Sequence, residues 1–176
     1  MTSDRRTLTG RDGSLLGVGD KLTVMEGLGR VTNETRSVYD LWSRARAARQ
    51  FPRLADLPLH ELGQLQDSMA VIDVVPGQHD YRYRTCGPLE ITVRGGDPCG
   101  RTVRECYSGD ILAFVLDSYD RVLKARDGVI DFSVDIDRNQ RYVATEVIFL
   151  PLSEDDSTID SILAYIHYRD TSRGTP

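Results

Sequence analysis

Apolar positions at helical spacing mark two amphipathic helices in this chain of 176 residues. The first pattern follows Asn33, a residue type that caps helix N-termini, and Phe51-Pro52 ends it. Its apolar stripe lies at i, i+3, i+4 and i+7 and consists of Val38, Leu41, Trp42 and Ala45. The spacing therefore predicts a leading helix over residues 33–50.

A longer helix is predicted from Ser108 or Asp110 to about Arg126, with Asp127-Gly128 as its stop signal. A shorter helix fits Pro58 to about Asp67, because three leucines recur on one side of it. Between residues 88 and 107 no long periodic element is present, and short helical turns and loops are expected.

Alternating apolar and polar residues predict five strands. Met69 to Val75 and Tyr81 to Cys86 read as a hairpin joined by Pro76-Gly77. The remaining three strands are expected at Val129 to Asp137, Arg141 to Leu152 and Ile159 to Tyr168. Strands joined mostly by hairpins, with helices grouped between them, predict an α+β fold. We expect a five-stranded antiparallel sheet covered by helices on one face.

Four segments are expected along the chain. Residues 1–32 are rich in Gly, Thr and charge and predict a flexible arm, either mobile or docked on the domain or a second subunit. The leading helix at 33–50, the domain at 51–170 and a short tail at 171–176 follow. The stripe on the leading helix fits packing either on its own domain or on the same helix of a partner, and a homodimer is slightly favoured.

The amino-acid composition limits the classes of partner and the environment that are expected for this chain. A net charge of −5 and a pI near 5.2 argue against nucleic-acid binding. Cys86, Cys99 and Cys106 are too few for a disulfide scaffold, which favours reduced thiols. No apolar run is long enough for a membrane span and the N-terminus lacks a secretory signal, so a soluble, cytoplasmic protein is expected.

Two charged residues on the predicted strands, Arg84 and Glu146, are candidates for a buried polar anchor. Glu146 shares its strand phase with apolar residues, so it needs a partner, which Arg84 could supply. Such a pair would either hold a ligand in a pocket or fix the register of the sheet, and Glu146 facing outward is the third reading. Tyr83, Phe132 and Tyr142 complete the candidate pocket, with ordinary cross-strand packing as the alternative.

The chain resembles the PAS domains of the bacterial PAS_5 family over about Val38 to Asp170. The resemblance rests on the order and spacing of several short motifs: Leu41-Trp42, Phe51-Pro52-Arg53, Tyr81-Arg82-Tyr83-Arg84 with Gly87, Gly96-Asp97, Gly100-Arg101, and Glu146 ahead of Leu150-Pro151-Leu152-Ser153. It implies a sensory or regulatory module with no chemistry of its own, often dimeric through the leading helix.

No cofactor signature accompanies this resemblance, and the cofactor stays open. Residues 88–126 contain no histidine for an axial haem ligand. Neither Cys99 nor Cys106 lies in the Asn-Cys-Arg-Phe-like context of a light-oxygen-voltage photosensor, and the cysteine spacing does not fit zinc.

The function favoured by these patterns is a non-enzymatic signalling module that senses a small ligand or binds a partner protein. No kinase, cyclase or DNA-binding segment follows Asp170, so the expected output is protein–protein interaction. The alternative is a small cone-shaped enzyme of the nuclear-transport-factor-like kind, with His167 and Asp135 as its acid/base pair. A structural adaptor with a filled core is the third class.

Overall fold

The computed structural model describes residues 8–9, 15–16, 20–136 and 142–170, with side chains described over 20–133 and 145–168. Eight strands, five α-helices and two 3-10 helices lie in these ranges, and the predicted loop at 137–140 and tail at 171–176 lie outside them. In chain order the elements are β1 Leu8–Thr9, β2 Leu15–Leu16, β3 Asp20–Thr23, α1 Val24–Gly27, α2 Asn33–Arg46, 3-10 helices Leu54–Asp56 and Leu59–Ser68, β4 Met69–Val75, β5 Asp80–Cys86, α3 Pro88–Arg94, α4 Val103–Cys106, α5 Gly109–Ala125, β6 Val129–Ile136, β7 Tyr142–Leu152 and β8 Ser161–Asp170.

The main sheet is antiparallel and has the strand order β3-β6-β7-β8-β4-β5. The predicted α+β class is confirmed. The sheet has six strands rather than five, because Asp20–Thr23 pairs with Val129–Phe132 along the outer edge of β6. The part of the predicted N-terminal arm that begins at Asp20 therefore belongs to the domain.

Helices cover both faces of the sheet, which corrects the expectation of one covered face. On one face α2 and the 3-10 helix Leu59–Ser68 pack against side chains such as Ile148 and Leu150. On the other face α4 and α5 pack against side chains such as Phe149 and Ile162. Successive strand residues point to opposite faces, so a single strand such as β7 contributes side chains to both cores.

The leading helix α2 belongs to the core of its own domain. Val38, Leu41 and Trp42 are at most 2% exposed, and the indole Nε1–H of Trp42 donates to the carbonyl of Pro151 at 2.9 Å. Ala45 is partly buried against the same apolar cluster. Of the two alternatives that the sequence left open for this stripe, the structure shows packing on its own domain, so a dimer would need another contact surface.

Helix boundaries differ from the predicted ones by short, explicable distances. Helix α2 begins one residue after its N-cap, Thr32, whose hydroxyl accepts from the N–H of Thr35, and it ends at Arg46 rather than at residue 50. The expected helix from Pro58 is a 3-10 run interrupted at Gly63, where φ is +52°. A glycine adopts this left-handed conformation without the steric cost of a Cβ.

Candidate functional site

A group of polar side chains lies between the sheet and the helices α3 and α5. We call it the tyrosine–arginine cluster, and it consists of Tyr83, Glu90, Arg94, Tyr107, Tyr119 and Tyr168. Tyr83 and Tyr168 come from the strands β5 and β8, while the others come from α3, α5 and the residue after α4. Of the residues that the sequence suggested for a ligand pocket, Tyr83 belongs to this cluster.

An ion pair on α3 anchors the cluster. Pro88 occupies the first turn of this helix, where its missing N–H costs nothing, and the i,i+4 spacing puts Glu90 and Arg94 on one face. Arg94 Nε donates to Glu90 Oε2 at 3.1 Å. Glu90 is completely buried, whereas the Arg94 side chain keeps 25% of its surface exposed. The hydroxyl of Tyr168 donates to the other carboxylate oxygen of Glu90.

Tyrosine hydroxyls converge beside this ion pair. The Tyr83 hydroxyl oxygen lies 3.4 Å from that of Tyr119 and 3.5 Å from that of Tyr107. Hydroxyl–hydroxyl hydrogen bonds are usually about 2.7–2.8 Å long, so these contacts are weak. Arg94 donates to the Tyr107 hydroxyl and lies 5.0 Å from the centroid of the Tyr83 ring, within cation–π range. The Tyr83 and Tyr119 hydroxyls thus combine burial with a long, weak hydrogen bond to each other.

The protonation states of the cluster suit binding better than catalysis. Burial raises the pKa of Tyr83 and of Tyr119, so both hydroxyls stay neutral at pH 7. Burial alone lowers the pKa of Arg94, but its neighbours Tyr83 and Glu90 raise the pKa overall, so the guanidinium stays charged. Burial raises the pKa of the neighbouring Cys86 thiol to about 12. The cluster offers one ion pair and neutral donors rather than an activated nucleophile.

The predicted pairing of Arg84 with Glu146 is wrong. The two residues lie on β5 and β7, and the strands β8 and β4 run between them. Arg84 instead pairs with Asp73 on the adjacent strand β4 at 2.6 Å, and both side chains are about a third exposed or more. Tyr83, the preceding residue, points to the opposite face and enters the tyrosine–arginine cluster.

Glu146 and Phe132 face α2, not the layer under α5. Glu146 is 1% exposed, as its strand phase predicted, and accepts hydrogen bonds from the N–H and hydroxyl of Thr32. Phe132 packs against the same core as α2, and Arg30 lies over its ring at 4.9 Å. Neither residue belongs to the tyrosine–arginine cluster. Tyr142 begins β7, and its side chain lies outside those that the structure describes.

Sequence reasoning missed Glu90 and Arg94. Their i,i+4 spacing after Pro88 was a usable signal, but Gly95-Gly96 directly after it favoured a loop interpretation for the whole segment. Tyr119 lies within the helix predicted up to about Arg126, but the spacing of a tyrosine does not reveal what its hydroxyl contacts.

The acid/base pair of the alternative enzyme hypothesis is not brought together by the register. His167 lies opposite Glu146, whereas Asp135 lies opposite Val143, and β7 separates the two strands. Over the ranges with described side chains, no three His, Cys, Asp or Glu residues are grouped so as to hold a metal ion. None of the described helices is long and apolar enough to cross a bilayer.

Comparisons with known proteins find similarity only among solved structures. No protein-family model matches the chain, and no curated protein does. A light-oxygen-voltage domain studied with a flavin analogue is 11% identical, with a TM-score of 0.49 over 65% of this chain and 85% of that chain. An RNA-binding light-oxygen-voltage receptor is 14% identical, with a TM-score of 0.49 over 94% of this chain and 40% of its own.

A light-oxygen-voltage protein of Rhodobacter sphaeroides is also 14% identical, with a TM-score of 0.45 over 65% of this chain and 69% of that chain. At these identities and TM-scores the likeness carries no argument about function. The fold assignment depends on the strand order and the helical layers themselves: this chain is an α+β domain with a six-stranded antiparallel sheet between two layers of helices.

Proposed function

We propose that this chain is a PAS-like signalling module without catalytic chemistry. Its input is a small polar molecule bound at the tyrosine–arginine cluster, and its output is a changed contact with a partner protein. The order of elements supports this proposal, since a leading helix, two strands, a helical segment and three strands is what the resemblance to PAS domains implies.

The observation that carries the proposal is the buried ion pair of Glu90 and Arg94 beside weakly bonded hydroxyls. Taking charged and hydroxyl groups out of water costs free energy unless their hydrogen bonds are replaced. The 3.4 Å and 3.5 Å separations of the Tyr83 hydroxyl from its neighbours replace them only partly. A polar ligand with a donor and an acceptor would complete these bonds, and the partly exposed Arg94 marks the side from which it would enter.

A route from this site to the leading helix runs through β7. Phe149 on one face of β7 forms a T-shaped ring contact with Tyr119, with centroids 5.4 Å apart. Three residues earlier, Glu146 on the opposite face holds Thr32 at the N-terminus of α2. A shift of Tyr119 on ligand binding would therefore act on a strand that also holds the leading helix. Surfaces around α2 are the proposed place of output.

Light is not the input that we propose. Cys99 is followed by Gly100-Arg101, and burial raises the pKa of the Cys99 thiol, which keeps it protonated. A blue-light flavin band in the absorption spectrum of the purified chain would contradict this part of the proposal.

The test is a thermal-shift screen of the full chain against a panel of small polar metabolites, followed by native mass spectrometry of the stabilising compounds. Tyr119→Phe removes one hydroxyl of the cluster, and Arg84→Ala is the matched control on the far face of β5. A compound that stabilises the wild type and Arg84→Ala, but stabilises Tyr119→Phe much less, is the expected result. Equal stabilisation of all three proteins would contradict binding at the cluster.

The proposed output is tested with the same compound. Hydrogen exchange of the amides in the first turn of α2 is expected to change when the compound binds, and Glu146→Gln is expected to reduce that change. A ligand that binds at the cluster and leaves exchange in α2 unaltered would contradict the route through β7.

A further inference from the structure

Besides its backbone pairing with β6, the edge strand β3 contacts the domain through the long side chain of Lys21. Lys21 reaches beneath α5, where its Nζ donates to the carbonyl of Phe114 at 2.9 Å and to Asp117 Oδ2 at 3.0 Å. The ammonium also lies 3.7 Å from the centroid of the Phe114 ring. The side chain is only 6% exposed, although its strand lies at the edge of the sheet. A charged residue is seldom buried at an edge unless it is paired.

Asp131 lies directly opposite Lys21 in the register of β3 and β6. It is 2% exposed, and its Oδ2 accepts from the Ser118 hydroxyl at 3.3 Å. Its other oxygen, Oδ1, has no hydrogen-bond partner among the residues that the structure describes. A buried carboxylate oxygen without a donor is costly when the group is ionised and much less costly when it is protonated.

The charged groups around Asp131 come from two neighbouring elements. Strand β3 contributes Lys21, while α5 contributes Asp117 and Arg121, which are paired with each other at 2.9 Å. The residue opposite Asp131 on β7 is the uncharged Val147. Burial raises the pKa of Asp131 to about 6, against the opposing attraction of Lys21. Asp131 therefore changes its charge close to neutral pH.

We propose that Lys21 and Asp131 form a proton-controlled clasp, in which protonation of Asp131 strengthens the docking of β3 and ionisation of Asp131 weakens it. The direction follows from linkage. A carboxyl group that holds its proton more tightly in the docked state than in the released state favours docking below its docked pKa and loses that effect as pH rises through it. At pH 8 the docked strand has to bury an ionised Asp131.

Docking of the four residues of β3 also affects the segments that follow them in the chain. Strand β3 continues directly into α1, where Thr23 and Glu26 form a capping box, and the N–H of Val24 donates to the carbonyl of Gly128. Helix α1 in turn leads to Thr32 and the start of α2. Release of β3 would thus loosen the attachment of the leading segment. This inference does not depend on the ligand proposed for the tyrosine–arginine cluster.

The first test is hydrogen exchange of the β3 amides in the full chain at about pH 5 and about pH 8, each corrected for the intrinsic exchange rate. Because pH 5 lies about one unit below the docked pKa and one pKa unit corresponds to a tenfold change in an equilibrium constant, protection of β3 should fall by about 10-fold between these conditions. Asp131→Asn keeps the shape of the protonated group, so its protection should be independent of pH. Asp110→Asn, the same substitution at an exposed position of α5, should behave like the wild type.

A second measurement keeps the test independent of folding defects in Asp131→Asn. The carboxyl carbon of Asp131 in the wild type should titrate by NMR with a midpoint near 6. In Lys21→Met the midpoint should rise, because the favourable positive charge is lost. A midpoint near the ordinary aspartate value of 3.8, or corrected protection of β3 that is the same at both pH values in the wild type, would overturn the proposal.

Discussion

The carboxylate of Glu146 accepts two hydrogen bonds from Thr32, one from the backbone N–H at 2.9 Å and one from the hydroxyl at 2.8 Å. Thr32 is the N-cap of α2, and Glu146 lies in the centre of the long strand β7. A negative charge at a helix N-terminus is stabilised by the exposed N–H groups and by the helix dipole. The pair therefore fixes where the leading helix begins on the sheet.

Replacing Glu146 by alanine should lower the free energy of unfolding by about 2–4 kcal/mol, because two partly buried donors of Thr32 lose their charged acceptor. Glu146→Gln should cost less, since its amide oxygen can still accept one of these hydrogen bonds. Urea denaturation measures both values. Glu154→Ala, at an exposed acid on the turn after β7, is the control and should change stability by no more than about 0.5 kcal/mol. A cost for Glu146→Ala as small as that of the control would contradict the role of this pair.

Trp42 should act on stability rather than on self-association. Trp42→Phe removes the donor to the Pro151 carbonyl and leaves a small void in the core, which should cost about 1–3 kcal/mol. Sedimentation velocity of the wild type and the variant should give the same mass. A lower mass for the variant than for the wild type, at unchanged stability, would instead indicate that this helix lies in a dimer interface.

Replacement of Gly87, the residue before the first turn of α3, should be poorly tolerated. A Cβ there would overlap the backbone carbonyls of Asp67 and Gln66, which cannot move as a flexible side chain can. Gly87→Ala should therefore destabilise the protein by about 1–3 kcal/mol or more. Gly96→Ala, where nothing lies within 4 Å of the added Cβ, is the matched control and should be nearly neutral. Equal melting temperatures for the two variants would show that the segment around Gly87 is not held as described.

Buried tyrosines should make the fold sensitive to alkali. Burial raises the pKa of Tyr81, Tyr83, Tyr119 and Tyr165, the last to about 12. The folded state keeps these protons above pH 10, the ordinary tyrosine value, whereas the unfolded state releases them. Stability should thus fall with rising pH above 10, by about 1.4 kcal/mol per pH unit for each such tyrosine.

The measurement is a tyrosinate absorbance titration of folded and denatured protein, combined with urea melts at several alkaline pH values. The folded chain should ionise fewer than its eight tyrosines at about pH 11. In Tyr119→Phe the free energy of unfolding should fall less steeply with rising pH, by the contribution of one tyrosine. Complete and reversible ionisation of a chain that stays folded would refute the burial of these hydroxyls.

Local patterns in the sequence correctly predicted those features that depend only on a short stretch of chain, such as a helix or the buried face of a strand. The stripe of Val38, Leu41 and Trp42 predicted a helix with one buried face, and the strand phase that Glu146 shares with Ile148 and Leu150 predicted its burial. Both depend on the fixed periods of helix and strand. The i,i+4 relationship of Glu90 and Arg94 was available in the same way but was obscured by the glycines after it.

The periodicity of helices and strands does not predict which distant segments of the chain contact each other. Arg84 and Glu146 looked complementary in charge, but the order of the strands places β8 and β4 between them. Strand order is decided by how the apolar faces of all the strands and helices pack together. Lys21 shows the same limit, because a lysine in a short polar segment gives no local sign that it will be buried under a helix.

The amino-acid sequence by itself determined the two long helices and the five strands from Met69 onward, the α+β class and the alternation of buried and exposed strand positions, because these follow from backbone periodicity and turn chemistry. Only the tertiary structure decided that β3 completes the sheet, that helices cover both faces, and that Tyr83, Arg94 and Tyr119 meet. Alternation shows which residues share a face of a strand, but which helix covers that face is settled by packing between segments far apart in the chain.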